Sequence, residues 1–374
     1  MKITIVLGAF FPVPPVMGGA VEKQWFALAK EFANRGHDVV QISRAIPQFP
    51  PSGVIDGVRH RRIRGYDSPR SLLWLKFLDL LYSLRARKVL PNADVLVTNT
   101  FWLPILRPPR SRGQIYVHVA RMPKGQMRFY KNAARLQAVS QSVAQAIRDE
   151  APAVASRVSV VPYASPAGLG DDDVPPLSAR EKILLYVGRV HPEKGLGLLL
   201  DAVPQLQGRG WRLLIVGAAD EAHGGGGREY LEQLQRHASA VQIGIEWVGG
   251  VFDEAELAEY YRRARIFIYP SLAERGETFG VAPLEAMTNG CAVVVSQLAC
   301  FTDFIEAERN ALVFDHRAID PVKALAHQLQ RLINDESLAA RLALAAQERS
   351  RQFSVSEIAA RYLRDFEQVL AKCS

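Results

Sequence analysis

The chain has 374 residues, 48% of them hydrophobic and 22% charged, with a mean hydropathy near zero, the make-up of a globular protein long enough for two domains with full cores. No run approaches the ~18 uninterrupted apolar residues of a membrane span, Met1 to Gly8 lacks the layout of a signal peptide, and Cys291, Cys300 and Cys373 are too few for a disulfide scaffold and lack metal-ligand spacing, so a cytoplasmic protein with reduced thiols is expected. The net charge of +8 hides a polarity, with 24 Lys and Arg against 9 Asp and Glu up to residue 165 and 22 against 29 beyond it, which points to an anionic partner for the N-terminal half.

In chain order, Lys2 to Leu7 is an apolar β run, Gly8 to Gly19 is rich in Pro and Gly, and Ala20 to Arg35 has helical spacing through Val21, Trp25, Leu28, Ala29 and Phe32. A strand restarts at Val39 to Ser43, completing one βαβ unit. Arg59, Arg61, Arg62 and Arg64 precede an apolar stretch, Leu72 to Leu81, which is followed by Arg85, Arg87 and Lys88. That pattern suits a helix lying at an anionic membrane surface, and equally a core helix with a basic end. Nucleic acid is not the expected partner, since no zinc-finger spacing, aromatic RNA-binding signature or helix-turn-helix accompanies the charge. Further β runs stand at Val95 to Thr98, Ile115 to Val119, Gln137 to Val139 and Val158 to Val161. Ser165 to Pro176 breaks every periodicity and reads as a domain linker, with Asp171, Asp172 and Asp173 as a solvated acidic spacer. A second strand-helix series begins at Lys182 to Val187 and continues through Arg212 to Val216, Ile245 to Val248, Arg265 to Tyr269, Ala292 to Val295 and Ala311 to Phe314, before a closing helix over Ser356 to Lys372. The alternation predicts an α/β protein of two doubly wound, Rossmann-like domains, residues 1–165 and 177–355, facing each other across a cleft, with ligands at the carboxyl ends of the strands.

Several constellations fall at such strand ends. Glu277-Thr278-Phe279-Gly280 and Glu285 follow a strand and enter a helix, so that two carboxylates bracket a helix N-terminus suited to an anion. Gly188-Arg189 to Lys194-Gly195 leaves the first strand of the second domain and brings two cations to one loop, without the order of a Walker loop. Gly18-Gly19 opens the first helix, where bare backbone N–H groups can approach a phosphate or a sugar. His118 ends an N-domain strand, where it can bond a sugar hydroxyl or a reacting oxygen, or sit as a satisfied buried imidazole. Trp247 to Leu257 combines a glycine turn with a helix start capped by Asp253, and backbone near Val251 can read a base edge.

Together these residues resemble glycosyltransferase family 4, retaining enzymes of the two-domain GT-B architecture. Gly18-Gly19 matches the family's glycine loop, Gly188 to Gly195 its G-R-x-x-x-x-K-G segment, and Pro270-Ser271 with Glu277 to Ala286 its P-S … E-x-F-G-x-x-x-x-E-A motif. The resemblance implies that Arg189 and Lys194 hold the donor diphosphate and Glu285 the ribose. Glu277, Thr278 and the Phe279-Gly280 backbone take the donor sugar, with His118 beside it. It also implies that the closing helix, 356–374, packs back on the N-terminal domain. Two departures fall on the sugar and acceptor side: Cys300-Phe-Thr-Asp303 where the family often has two glycines and a glutamate, and Tyr163 where Asn commonly follows the Val-Pro run.

The chemistry so implied is transfer of a glycosyl unit from a nucleoside diphosphate sugar, a UDP-sugar favoured over a GDP-sugar, to a hydroxyl of a lipid-linked or anionic acceptor, at the inner face of the membrane. Charge growing on the leaving phosphate meets Arg189, Lys194 and a helix N-terminus, so neither cofactor nor metal is expected. Retention by same-face substitution needs no general base. A nucleotide-sugar epimerase of the same architecture is the alternative, a non-catalytic sugar-nucleotide sensor is another, and a nicotinamide oxidoreductase is disfavoured by the absence of G-x-G-x-x-G.

Overall fold

The computed structural model describes residues 1–374 apart from 70, 166–173, 240, 242 and 373–374. Asp171, Asp172, Asp173, Cys373 and most of the expected linker therefore lie outside the described residues. The chain divides into two compact units, Met1–Ala164 with Val355–Ser374, and Ser165–Ser354.

The first unit contains β1 (Lys2–Val6), α1 (Ala20–Asn34), β2 (Asp38–Ala45), β3 (Ser52–Ile55), β4 (Val58–Arg64), α2 (Leu72–Val89), β5 (Val95–Thr98), β6 (Gln114–Val119), β7 (Arg135–Ala138), α3 (Gln141–Glu150) and β8 (Val158–Val160). The strands form one sheet in the order β3-β4-β2-β1-β5-β6-β7-β8, parallel except for the β3–β4 pair. Strands covered on both faces must be apolar on both faces, and Ile3, Ile5 and Val6 of β1 are all buried.

The arginine-rich run 59–64 is a strand rather than part of a membrane-facing helix. Asp56 and Gly57, both at positive φ (48° and 77°), make the two-residue turn that a hairpin requires, and β4 then alternates. His60 and Arg62 point into the protein and Arg59 and Arg61 out of it. Buried Arg62 donates to the carbonyls of Val13 at 3.1 Å and Pro50 at 2.8 Å, so it is a strut between loops and offers no charge to a surface.

Helix α2 is capped by Ser71. It buries Leu78, Asp79, Tyr82, Ser83 and Ala86, of which Tyr82 and Ala86 join Val6, Ile42, Leu96 and Leu103 in the core. The Asp79 carboxylate accepts the backbone N–H groups of Phe101 at 3.1 Å and Trp102 at 3.2 Å, tying the loop after β5 to the helix. The opposite side of α2 leaves Leu72, Leu73, Trp74, Phe77 and Leu84 exposed, with Trp74 and Phe77 stacked at 5.1 Å.

The second unit contains β9 (Glu181–Val187), α4 (Leu196–Ala202), β10 (Arg212–Val216), α5 (Arg228–Ala238), β11 (Gly244–Gly249), α6 (Glu254–Arg263), β12 (Ala264–Tyr269), α7 (Val281–Thr288), β13 (Ala292–Ser296), β14 (Leu312–Phe314), α8 (Pro321–Asn334) and α9 (Glu336–Ser350). Its sheet is parallel throughout in the order β11-β10-β9-β12-β13-β14, the 3-2-1-4-5-6 arrangement whose direction of winding reverses between the first and fourth strands. Ligands of such sheets collect beyond the carboxyl ends at that reversal, here between β9 and β12.

The last helix, α10 (Val355–Ala371), packs in the first unit. Its buried Asp365 accepts hydroxyls from buried Tyr116 and half-buried Ser159, each at 2.7 Å, and pairs with buried Arg135 at 2.7 Å. Tyr362 and Phe366 supply the apolar part of the contact against Trp25, Tyr116 and Phe32. Among the described residues no helix is long and apolar enough to cross a membrane.

Candidate functional site

The two loops that leave β9 and β12 at the reversal carry Arg189, Glu193, Lys194 and Glu277. Beyond β9 the backbone makes a single 3-10 turn, Pro192–Lys194, capped by His191. The turn directs Lys194 inward, where its ammonium lies 2.7 Å from Glu277 Oε2 with both side chains largely buried (6% and 12% exposed). The same oxygen accepts the Tyr269 hydroxyl at 2.9 Å and lies 3.4 Å from Ser271 Oγ. Lys194 also stands 5.4 Å over the Tyr269 ring, a cation–π contact. Burial, followed by the Glu277 charge, holds the Tyr269 phenol well above its ordinary range, so it stays a hydrogen-bond donor.

Arg189 is more open. Its guanidinium pairs with Glu193 at 2.8 Å and donates to the Gly224 carbonyl at 2.5 Å. Glu285, on the second turn of α7, accepts the Tyr261 hydroxyl at 2.8 Å. Gly280 is the N-cap of α7, Phe279 is buried against Phe304 and Phe353, and Thr278 is half-buried. Val251 lies between β11 and α6, beside Phe252, whose ring sits 4.8 Å from His223. Asp253 caps α6 by accepting the Glu256 N–H at 2.9 Å. Cys300 is buried in the turn Ala299–Asp303, and burial raises its thiol above the ordinary range, with the Glu277 charge adding to the effect.

In the first unit, Gly18 and Gly19 lead into α1. The Glu22 carboxylate folds back over the start of the helix, with Oε2 2.3 Å from where a side chain at Gly19 would begin. Only glycine permits that approach. Glu22 is 5% exposed, and burial raises its carboxyl to about 7. His118 near the end of β6 is 3% exposed and edge-on to Trp25 at 5.4 Å. Its Nδ1 lies 2.5 Å from Gln137 Oε1, Nε2 has no partner among the described residues, and burial lowers its pKa to about 4.

Arg189, Lys194, Glu277 and Glu285 thus lie on two loops and a helix of one unit, with Thr278, Phe279 and Gly280 in the same segment. His118, Gly18 and Gly19 belong to the other unit. Sequence reasoning missed Glu193, Tyr269, Tyr261, Glu22 and Gln137. Glu193 and Tyr269 left a signal, one a carboxylate four residues after Arg189, the other a polar ring at the end of an apolar strand. Gln137 left the weaker one of an amide within a buried run.

Residues 17–164 match the family described as Glycosyltransferase Family 4, and residues 171–349 that described as Glycosyl transferases group 1. The chain belongs to glycosyltransferase family 4. The family resemblance read from the motifs is borne out. Among curated members, the phosphatidyl-myo-inositol mannosyltransferase of Mycolicibacterium smegmatis is 31% identical over 192 residues, covering 50% of this chain and 45% of that protein. That of Mycobacterium tuberculosis is 31% identical over 233 residues, covering 60% and 56%. The D-inositol 3-phosphate glycosyltransferase of Nocardioides sp. is 30% identical over 183 residues, covering 46% and 38%. The chain thus spans about half the length of the curated relatives it matches. Solved GT-B folds align along nearly its whole length. Sucrose-phosphate synthase from Thermosynechococcus elongatus gives a TM-score of 0.79 at 20% identity, covering 100% of both chains. Anabaena HepE in complex with UDP gives 0.72 at 18%, covering 98% and 100%. At such identities the likeness is one of fold, and the expected GT-B class is confirmed.

Proposed function

We propose that this family 4 protein transfers a glycosyl unit from a nucleoside diphosphate sugar to a hydroxyl of a lipid-linked or anionic acceptor, with retention and without a metal. The observation that carries the reading is the meeting of Lys194, Glu277 and Tyr269 at the sheet reversal, with Arg189 on the same loop as Lys194. The pyrophosphate joins Lys194 and Arg189, and α7 offers its first N–H groups beyond Gly280. When the anomeric C–O bond breaks, its electron pair goes to the leaving phosphate, where these fixed charges are already in place and need no reorganisation. The acceptor oxygen bonds to the same face of the anomeric carbon and its proton passes to the departing phosphate, so no side chain acts as general base. Glu277, held by three donors through Oε2, turns Oε1 to sugar hydroxyls. Glu285 takes the ribose and backbone near Val251 the base.

A UDP-sugar is favoured over a GDP-sugar; the fold neighbour HepE was solved with UDP and with UDP-glucose. The inositol-based names of the curated relatives support an inositol-containing or lipid acceptor. The acceptor is met at an anionic membrane, on which α2 rests its exposed Leu73, Trp74 and Phe77 while Arg64, Arg87 and Lys88 face the headgroups. The protein is then cytoplasmic and peripheral at the inner leaflet.

Thermal shifts with UDP-, GDP- and ADP-sugars test the donor, followed by product analysis with and without acceptor. Stabilisation by none of them removes the donor site. Interconversion of the sugar without acceptor would establish epimerase chemistry instead. Flotation with phosphatidylglycerol vesicles at low salt tests the membrane, and indifference of the wild-type protein to them removes that contact.

A further inference from the structure

The β6–β7 register sets His118 directly opposite Gln137, and Gln137 is fully buried. Its amide has one orientation open to it. Nε2 spends its two hydrogens on the carbonyls of Ala138 at 2.7 Å and Val161 at 2.6 Å, which leaves Oε1 facing His118 Nδ1 at 2.5 Å. A carbonyl oxygen only accepts, so Nδ1 must carry the imidazole proton and Nε2 must present a lone pair.

That lone pair has no partner among the described residues, and neither has the indole N–H of Trp25, whose ring stands edge-on to the imidazole. Buried polar atoms are otherwise bonded as a rule, and one left open in the interior calls for a reason. A hydroxyl supplies it, donating to Nε2. The ionisable neighbours are Tyr163 beyond β8, 5.9 Å away, and around that phenol Glu22 of α1, Arg121 and Tyr362 of α10. Burial, and none of these charges, keeps the imidazole neutral above about pH 4.

We infer that Gln137 is a positioning residue: it locks His118 in the Nδ1–H tautomer, so that Nε2 serves only as a hydrogen-bond acceptor for a hydroxyl of a bound substrate. The inference rests on the proposed glycosyl transfer for the identity of the hydroxyl, but not for the tautomer.

Nitrogen-resolved NMR of the 15N-histidine-labelled, ligand-free protein separates the two. His118 is identified by its loss in His118→Gln or, should that variant not fold, by contacts to the Trp25 indole. It is expected to show a protonated Nδ1 and an unprotonated Nε2, unchanged from pH 5.5 to 8.5; a protonated Nε2 overturns the assignment to Gln137 whatever the activity. Saturating substrate should move the Nε2 resonance, and a silent Nε2 in a protein that turns over normally overturns the hydroxyl contact while leaving the tautomer standing. Gln137→Met should lose about tenfold in kcat/KM, on the scale of one hydrogen bond. Gln137→Glu keeps an acceptor for Nδ1 and should recover part of that loss, but it favours the imidazolium and so brings a new acid limb into the pH–rate profile. An unchanged profile in Gln137→Glu would refute the lock.

Discussion

Replacing Lys194 with Ala separates two consequences of one ion pair. Lys194 and Glu277 are both largely buried and 2.7 Å apart, and removing one partner of a buried pair ordinarily costs ~3–5 kcal/mol because the other charge is left uncompensated. Here Glu277 Oε2 keeps the Tyr269 hydroxyl at 2.9 Å and Ser271 at 3.4 Å, so a cost just below that range, about 2–3 kcal/mol, is expected. For a unit of this size that lowers the melting temperature by roughly 5–10 °C, which leaves the second unit folded at 25 °C. The chemical cost is separate. A fixed donor aimed at developing charge contributes about 10²–10³ in kcat, and release of nucleoside diphosphate should fall by that factor. Lys194→Ala/Glu277→Gln should regain most of the stability and none of the turnover. Turnover of Lys194→Ala within threefold of wild type, in a protein that melts as expected, would refute the assignment of this ammonium to the leaving phosphate.

Asp365→Ala strands buried Arg135 and removes the acceptor of two hydroxyls, and urea unfolding should show a loss of about 4–6 kcal/mol in the first unit; a loss below 1 kcal/mol would mean that α10 is held by its aromatic rings alone. Glu22 is protonated more readily in the folded protein (about 7) than in the unfolded chain (4.5), so its contribution to stability falls as pH rises from about 4.5 to 7 and is level above that. Glu22→Gln should therefore gain up to about 3 kcal/mol over wild type at pH 8 and nothing at pH 4, read from paired urea titrations; an equal gain at both pH values would refute the burial argument. Trp74→Ser with Phe77→Ser removes an exposed stacked pair, and should leave the melting temperature within about 2 °C of wild type while abolishing vesicle flotation; retained flotation would place any membrane contact elsewhere.

The sheets were legible in the sequence wherever both faces of a strand are covered, because continuous apolar runs such as Ile183 to Val187 leave few other readings. Strand β4 escaped because its inward positions are His60 and Arg62, which carry no hydrophobic period, although the Asp56-Gly57 turn before it was a usable sign. The charged residues of the second unit were legible because short loops at neighbouring strand ends place Arg189, Lys194 and Glu277 by spacing alone. Their partners were not. Tyr269 bonds Glu277 across a loop, Tyr261 reaches Glu285 from another helix, and Gln137 meets His118 only through a strand register that no local pattern encodes.

The assignment of α10 to the first unit means that the peptide passes between the units twice, at 164–165 and again at 354–355. The first body with its final helix is therefore not a contiguous gene segment, whereas the second is. During synthesis the ribosome delivers the whole of the second body before the helix that covers Trp25 and Tyr116 emerges, so the first must wait, incomplete and with those rings bare, while its successor folds.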